Sequence, residues 1–190
     1  MQVRNHNAGY GLVAIVLHWL MAGLIIGMFA LGLWMTDLTY YHDWYRTAPH
    51  WHKSTGVMIF FLWLLRLFWR VCNPRPQPLD THETWEKIIA SITHGLLYLL
   101  ILLVIISGYM ISTADGRALE VFDWFEIPAF TTGIENQEDL AGEVHFYMAC
   151  VLIGVAALHA GAALKHYFFD RDSTLQRMIN PSISSSSTRR

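Results

Sequence analysis

Four long apolar runs dominate the chain: about Leu12–Met35, Trp51–Leu65, Ile88–Thr113 and Val144–Leu164. None contains aspartate or glutamate, and their interiors lack lysine and arginine. Crossing ~30 Å of hydrocarbon takes roughly 20 helical residues. Three runs reach that length, and the second does so when extended through Arg66 to Val71. Over 190 residues, 54% hydrophobic with a mean hydropathy of +0.32, this pattern predicts an all-α integral membrane four-helix bundle. Helices are expected at about 12–35, 51–71, 88–113 and 144–167, in a single domain over 1–178. The Ser-rich segment 179–190 is expected to be disordered. The first run is too long for a signal-peptide core and lacks a small-residue cleavage site, so it is expected to stay in the protein.

Charge asymmetry sets an expected orientation. Arg4, Arg66, Arg70, Arg75, Lys87, Lys165, Arg171, Arg177, Arg189 and Arg190 lie on the side of the termini. Only Arg46, Lys53 and Arg117 lie opposite. The positive-inside rule then places the N and C termini in the cytoplasm. In a bacterium the other side is the periplasm, and there the third loop, 114–142, is rich in acidic residues. Its Trp124, Phe125 and Phe130 are available to form a lid. The net charge of -2 and the lack of a basic patch give no sign of a nucleic-acid partner. Cys72 and Cys150 belong to different depths, so no disulfide is expected. No C-x-x-C-H motif is present for covalent haem attachment.

Histidine inside hydrocarbon is costly unless it faces the bundle and finds a partner. His145 and His159 are 14 residues apart on the last run, which places them on one helix face about 21 Å apart in depth. His52 matches the depth of His145, and His18 that of His159. Each pair could supply two axial imidazoles to a haem iron. His50 lies ~200° around the helix from His52, so only one of them can face the core. Gly56, one turn after His52, favours His52 by leaving room for a porphyrin edge. His166 continues the face of His145 and His159 but lies too near the water to be the ligand. Arg66, on the face of His52 at the other end, is a candidate partner for haem propionates or a snorkelling cation. His94 could compete with His18 for ligation, or join His166 as a donor to a quinone carbonyl. There is no Walker loop, no G-x-G-x-x-G before a helix and no H-E-x-x-H.

The segments AIVLHWLMAG around His18, HKSTG from His52, RLFWR from Arg66, HGLLYLLILLVIISG from His94 and the stretch from His145 to Met178 resemble the bacterial cytochrome b561 family. The likeness runs from about Tyr10 to Met178, and the last segment is its most specific part. It implies two non-covalent haem b groups, held by His52 with His145 and by His18 with His159, and a ubiquinone site near His94 and His166. It implies electron transfer across the inner membrane between a periplasmic-side donor and the quinone pool. One branch of the family oxidises superoxide and reduces ubiquinone. A third reading is a haem-bearing membrane anchor for a peripheral dehydrogenase. The expected partners are membrane lipid, quinone, the periplasmic-side donor and a second copy of the chain in a homodimer. An acidic outer loop favours a cationic or protein donor over an anion, through long-range steering.

Overall fold

The computed structural model describes residues 2–131 and 133–181. Most of it is four helices: α1 Leu12–Thr36, α2 Thr47–Cys72, α3 Thr84–Ser112 and α4 Gln137–Phe168. All four are long and apolar enough to cross a membrane. A two-stranded antiparallel hairpin, β1 Leu119–Val121 and β2 Phe125–Ile127, lies between α3 and α4. A 3-10 turn, Gln176–Met178, follows α4. The chain is thus an all-α four-helix membrane bundle. Residues 182–190 of the expected tail lie outside the described residues.

Three helices begin upstream of their apolar runs, because polar residues there serve as helix starts. Pro49 sits in the first turn of α2, where its fixed φ is tolerated and its missing N–H costs nothing. Glu86 reaches back from the first turn of α3 to accept the Glu83 N–H at 3.0 Å, half of a capping box. Glu138 and Asp139 place negative charge at the N-terminus of α4, where the helix dipole favours it. The helix faces turned outward are apolar: Ile26, Ile92 and Leu158 are 62%, 63% and 75% exposed, which suits contact with lipid.

The chain divides into two compact units. The first takes in the chain through Ala22, Leu62–Leu97 and the chain from Gly154. Here Gly11 precedes α1, and a Cβ on it would overlap the Val3 carbonyl oxygen and the Arg4 backbone. The Asn5 side chain accepts the Gly11 N–H at 2.9 Å and donates to the Pro74 carbonyl at 3.2 Å. Arg177 donates to the Gln77 carbonyl at 2.8 Å, and the Trp19 indole to the Met178 carbonyl at 2.7 Å. The proline-rich α2–α3 connection and the segment after α4 are therefore both tied down.

The second unit is Gly23–Phe61 with Tyr98–Ile153. The sequence predicts only loop for 114–142, but the hairpin forms within it. Leu119 and Val121 are buried on either side of exposed Glu120, the alternation of a half-buried strand. At the tip, Phe122 and Asp123 have φ of 49° and 58°, which is uncommon for side chains of this kind. The tip is held all the same. The fully buried Ser54 hydroxyl accepts the Phe122 N–H at 3.0 Å, and the Phe122 ring lies edge-on to Trp51 at 5.4 Å.

Candidate functional site

In the second unit His52 of α2 and His145 of α4 face one another. Their ring centroids are 6.2 Å apart and their planes cross at 71°. His145 Nδ1 donates to the Val104 carbonyl at 2.9 Å, with Ser107 Oγ also at 3.2 Å. A carbonyl can only accept, so this contact fixes the tautomer and leaves Nε2 with a free lone pair. Buried Ser107 is held in turn by the Leu103 and Val104 carbonyls, at 2.8 and 3.0 Å. His52 Nδ1 is buried and has no hydrogen-bond partner among the described residues.

Each of these rings rests against a glycine on a neighbouring helix. A Cβ on Gly32 of α1 would lie 3.3 Å from His52 Cε1, and one on Gly108 of α3 would lie 3.0 Å from His145 Cε1. Gly56, the glycine singled out from the sequence, meets only Met28 Cε at 3.9 Å within van der Waals reach. The glycine beside the His52 ring is thus on another helix. His50 points elsewhere, its Nε2 3.9 Å from an Asp123 carboxylate oxygen at the hairpin tip.

In the first unit His18 of α1 and His159 of α4 repeat the arrangement: centroids 6.4 Å apart and planes at 71°. His94 of α3 also approaches His159, with centroids 5.1 Å apart. The two candidates differ in spacing. Two imidazoles bound on opposite sides of one metal, each nitrogen about 2 Å from it, have centroids ~6 Å apart. Both His18–His159 and His52–His145 meet that spacing, and His94–His159 is short of it. Arg66 donates from Nη2 to His18 Nδ1 at 2.8 Å, and its Nη1 lies 4.0 Å from Met21 Sδ. A guanidinium has no acceptor, so Nδ1 accepts and a neutral His18 carries its proton on Nε2.

His166, near the end of α4, is in a different setting from His94. Its Nδ1 lies 2.6 Å from Asp170 Oδ2, and its ring lies 4.4 Å from that of His82 in the α2–α3 connection. Lys165 pairs with the same Asp170 oxygen at 2.7 Å and with Glu86 at 3.3 Å. His82 and buried Asp172 were not legible in the sequence, because each lies among other polar residues in a connecting segment.

The acidic edge of the second unit is formed by Glu120, Asp123 and Glu126 around exposed Trp124. Arg117, one of the three cations expected on this side, is committed to Asp115, with Nε 2.6 Å from Oδ2. That side-chain hydrogen bond holds the Asp115 carboxyl below its usual range.

Four apolar spans define a class, the multi-pass membrane proteins, and two close histidine pairs lie on their helices. The family model for prokaryotic cytochrome b561 matches residues 9–181, and the chain belongs to that family. It is 43% identical over 184 residues to "Cytochrome b561 homolog 2" of Escherichia coli K12, covering 97% of this chain and 98% of that protein. It is 27% identical over 171 residues to "Probable superoxide oxidase CybB" of Yersinia pestis, covering 90% and 95%. It is 29% identical over 182 residues to "Cytochrome b562" of Cereibacter sphaeroides, covering 93% and 99%. The family binds haem b, and the chain is a multi-pass protein of the bacterial inner membrane that serves electron transfer.

Proposed function

We propose that the protein carries electrons across the inner membrane between a periplasmic-side donor and the ubiquinone pool, with two non-covalent haem b groups and both termini in the cytoplasm. The observation that carries this reading is the agreement between the two histidine pairs: 6.2 and 6.4 Å, each at 71°. Haem b, when bound, supplies reversible one-electron storage at a potential set by its ligands and surroundings. His52 with His145, and His18 with His159, would hold the two haems. Val104 and Ser107 orient His145 from behind, as carbonyl partners do for metal-binding imidazoles. Arg66, 2.8 Å from His18 Nδ1, would supply positive charge beside a haem held there. His94 and His166 serve the quinone head group. Asp170 Oδ2, 2.6 Å from His166 Nδ1, fixes the orientation of that ring.

An optical spectrum of the purified protein with haem quantitation tests this directly. The expected content is about two haems per chain, one for each bis-imidazole pair. Less than about one haem per chain, with His52→Ala and His159→Ala spectra unchanged, overturns it. The quinone assignment has its own test, in which the reduced protein is mixed with a soluble ubiquinone in stopped flow. It is abandoned if reoxidation is no faster with quinone than without.

Superoxide oxidation is the second reading, supported by the name of the Yersinia pestis relative. The acidic hairpin and the pairing of Arg117 with Asp115 oppose it, because they weaken attraction of an anion. Quinone reduction driven by a superoxide source alone would establish it. A requirement for an added protein donor would remove it.

A further inference from the structure

His82, His166 and Asp172 converge in the first unit although His82 lies more than eighty residues before the other two. One ligand atom from each lies within 4.8 Å of the others. His82 Nε2 is 2.7 Å from Asp172 Oδ2, and His166 Nδ1 is 3.6 Å from the same oxygen. Asp172 is held in this pose. Its Oδ1 accepts the Thr174 N–H at 2.8 Å, and its own N–H donates to the His166 carbonyl at 3.1 Å. Arg171, with φ of 53°, turns the backbone after α4, and Asp172 comes back to His166. Asp172 is 7% exposed, so both imidazoles address a carboxylate largely withdrawn from water.

We infer that these three residues form a binding site for a divalent transition metal of the zinc type. Two imidazole nitrogens and one carboxylate oxygen are the donors that borderline ions such as Zn²⁺ take, whereas Mg²⁺ and Ca²⁺ take oxygen ligands. On one tetrahedral Zn²⁺, ligand atoms about 2 Å from the ion are roughly 3.3 Å from each other. The 3.6 Å separation is already close to that, and the 2.7 Å separation opens when the ion replaces the shared proton. A second grouping, Glu86, His166 and Asp170, competes for His166. Lys165 already pairs with both of its carboxylates, which leaves Asp172 as the one that welcomes a cation. The bound ion would clamp the α2–α3 connection to the segment after α4. This inference rests on geometry and not on the proposed quinone chemistry.

The test is a Zn²⁺ titration of the haem-loaded, tag-free protein in detergent against a chromophoric competitor, with Mg²⁺ as the contrasting ion. One Zn²⁺ per chain is expected, with affinity weakened at least about tenfold in His82→Ala and in Asp172→Asn, and unchanged in His42→Asn. Zinc should raise the melting temperature of the wild type and leave that of His82→Ala where it was. Absence of zinc binding, equal binding of Mg²⁺, or undiminished binding in His82→Ala with its haem spectrum intact overturns the site. If the variants fail to fold, X-ray absorption of the zinc-loaded wild type decides. A shell with two imidazoles and carboxylate oxygen supports the assignment, and a shell without imidazole refutes it.

Discussion

Gly108 leaves the space that the His145 ring occupies. The ring lies where a side chain on α3 would be, and a methyl there would sit 3.0 Å from Cε1, closer than ordinary contact. Gly108→Ala should therefore tilt the imidazole off the axis it shares with His52 and cost about half of the bound haem. Gly27→Ala meets nothing within 4 Å and should leave haem content unchanged. Pyridine-haemochrome quantitation of the two variants checks the contrast. Ser107→Ala removes the weaker of two acceptors and leaves the Val104 carbonyl, so haem should stay bound while the potential at that site shifts. A redox titration with an unmoved midpoint would show that the hydroxyl does nothing for the ligand. The histidines were legible in the sequence because a polar ring in an apolar run demands an explanation. Gly32 and Gly108 were not, because a glycine in a membrane helix acquires meaning only once the residue opposite it is known, and close packing accounts for most of them.

Among the elements, the helices were legible in type and less so in their starts, since capping residues are polar and fall outside an apolar run. The hairpin was not legible at all. Its strands are three residues each, too short for their alternation around Glu120 and Glu126 to announce it. Tertiary contacts hold it instead, through Ser54 and Trp51 of α2. Ser54→Ala should then loosen the tip, seen as faster amide exchange over 119–127 and as earlier proteolysis there. Asp123→Gly acts in the opposite direction by easing a left-handed backbone, worth about 1 kcal/mol at most. The same element carries the charge that a protein donor would meet. Glu120→Gln with Glu126→Gln should slow reduction by a basic protein donor and flatten its dependence on ionic strength. An unchanged salt dependence would place the encounter elsewhere.

For the whole molecule, the histidine pairs carry the prediction. His52→Ala and His159→Ala should each retain about half of the haem, and the double variant close to none. Loss of all haem in either single variant would mean that one site cannot form without the other. Membership of the family and the membrane setting followed from sequence alone, since apolar length and paired histidines survive without knowledge of packing. The competition between His18 and His94 did not resolve there, because depth is shared by both; their rings differ in spacing from His159, 6.4 against 5.1 Å. The bond from the Trp19 indole to the Met178 carbonyl has a consequence for biogenesis. It joins residues 159 positions apart, and α1 enters the membrane long before the ribosome reaches Met178. Trp19 must wait beside lipid through most of synthesis, so its fluorescence in stalled nascent chains would report the moment at which the chain closes on itself.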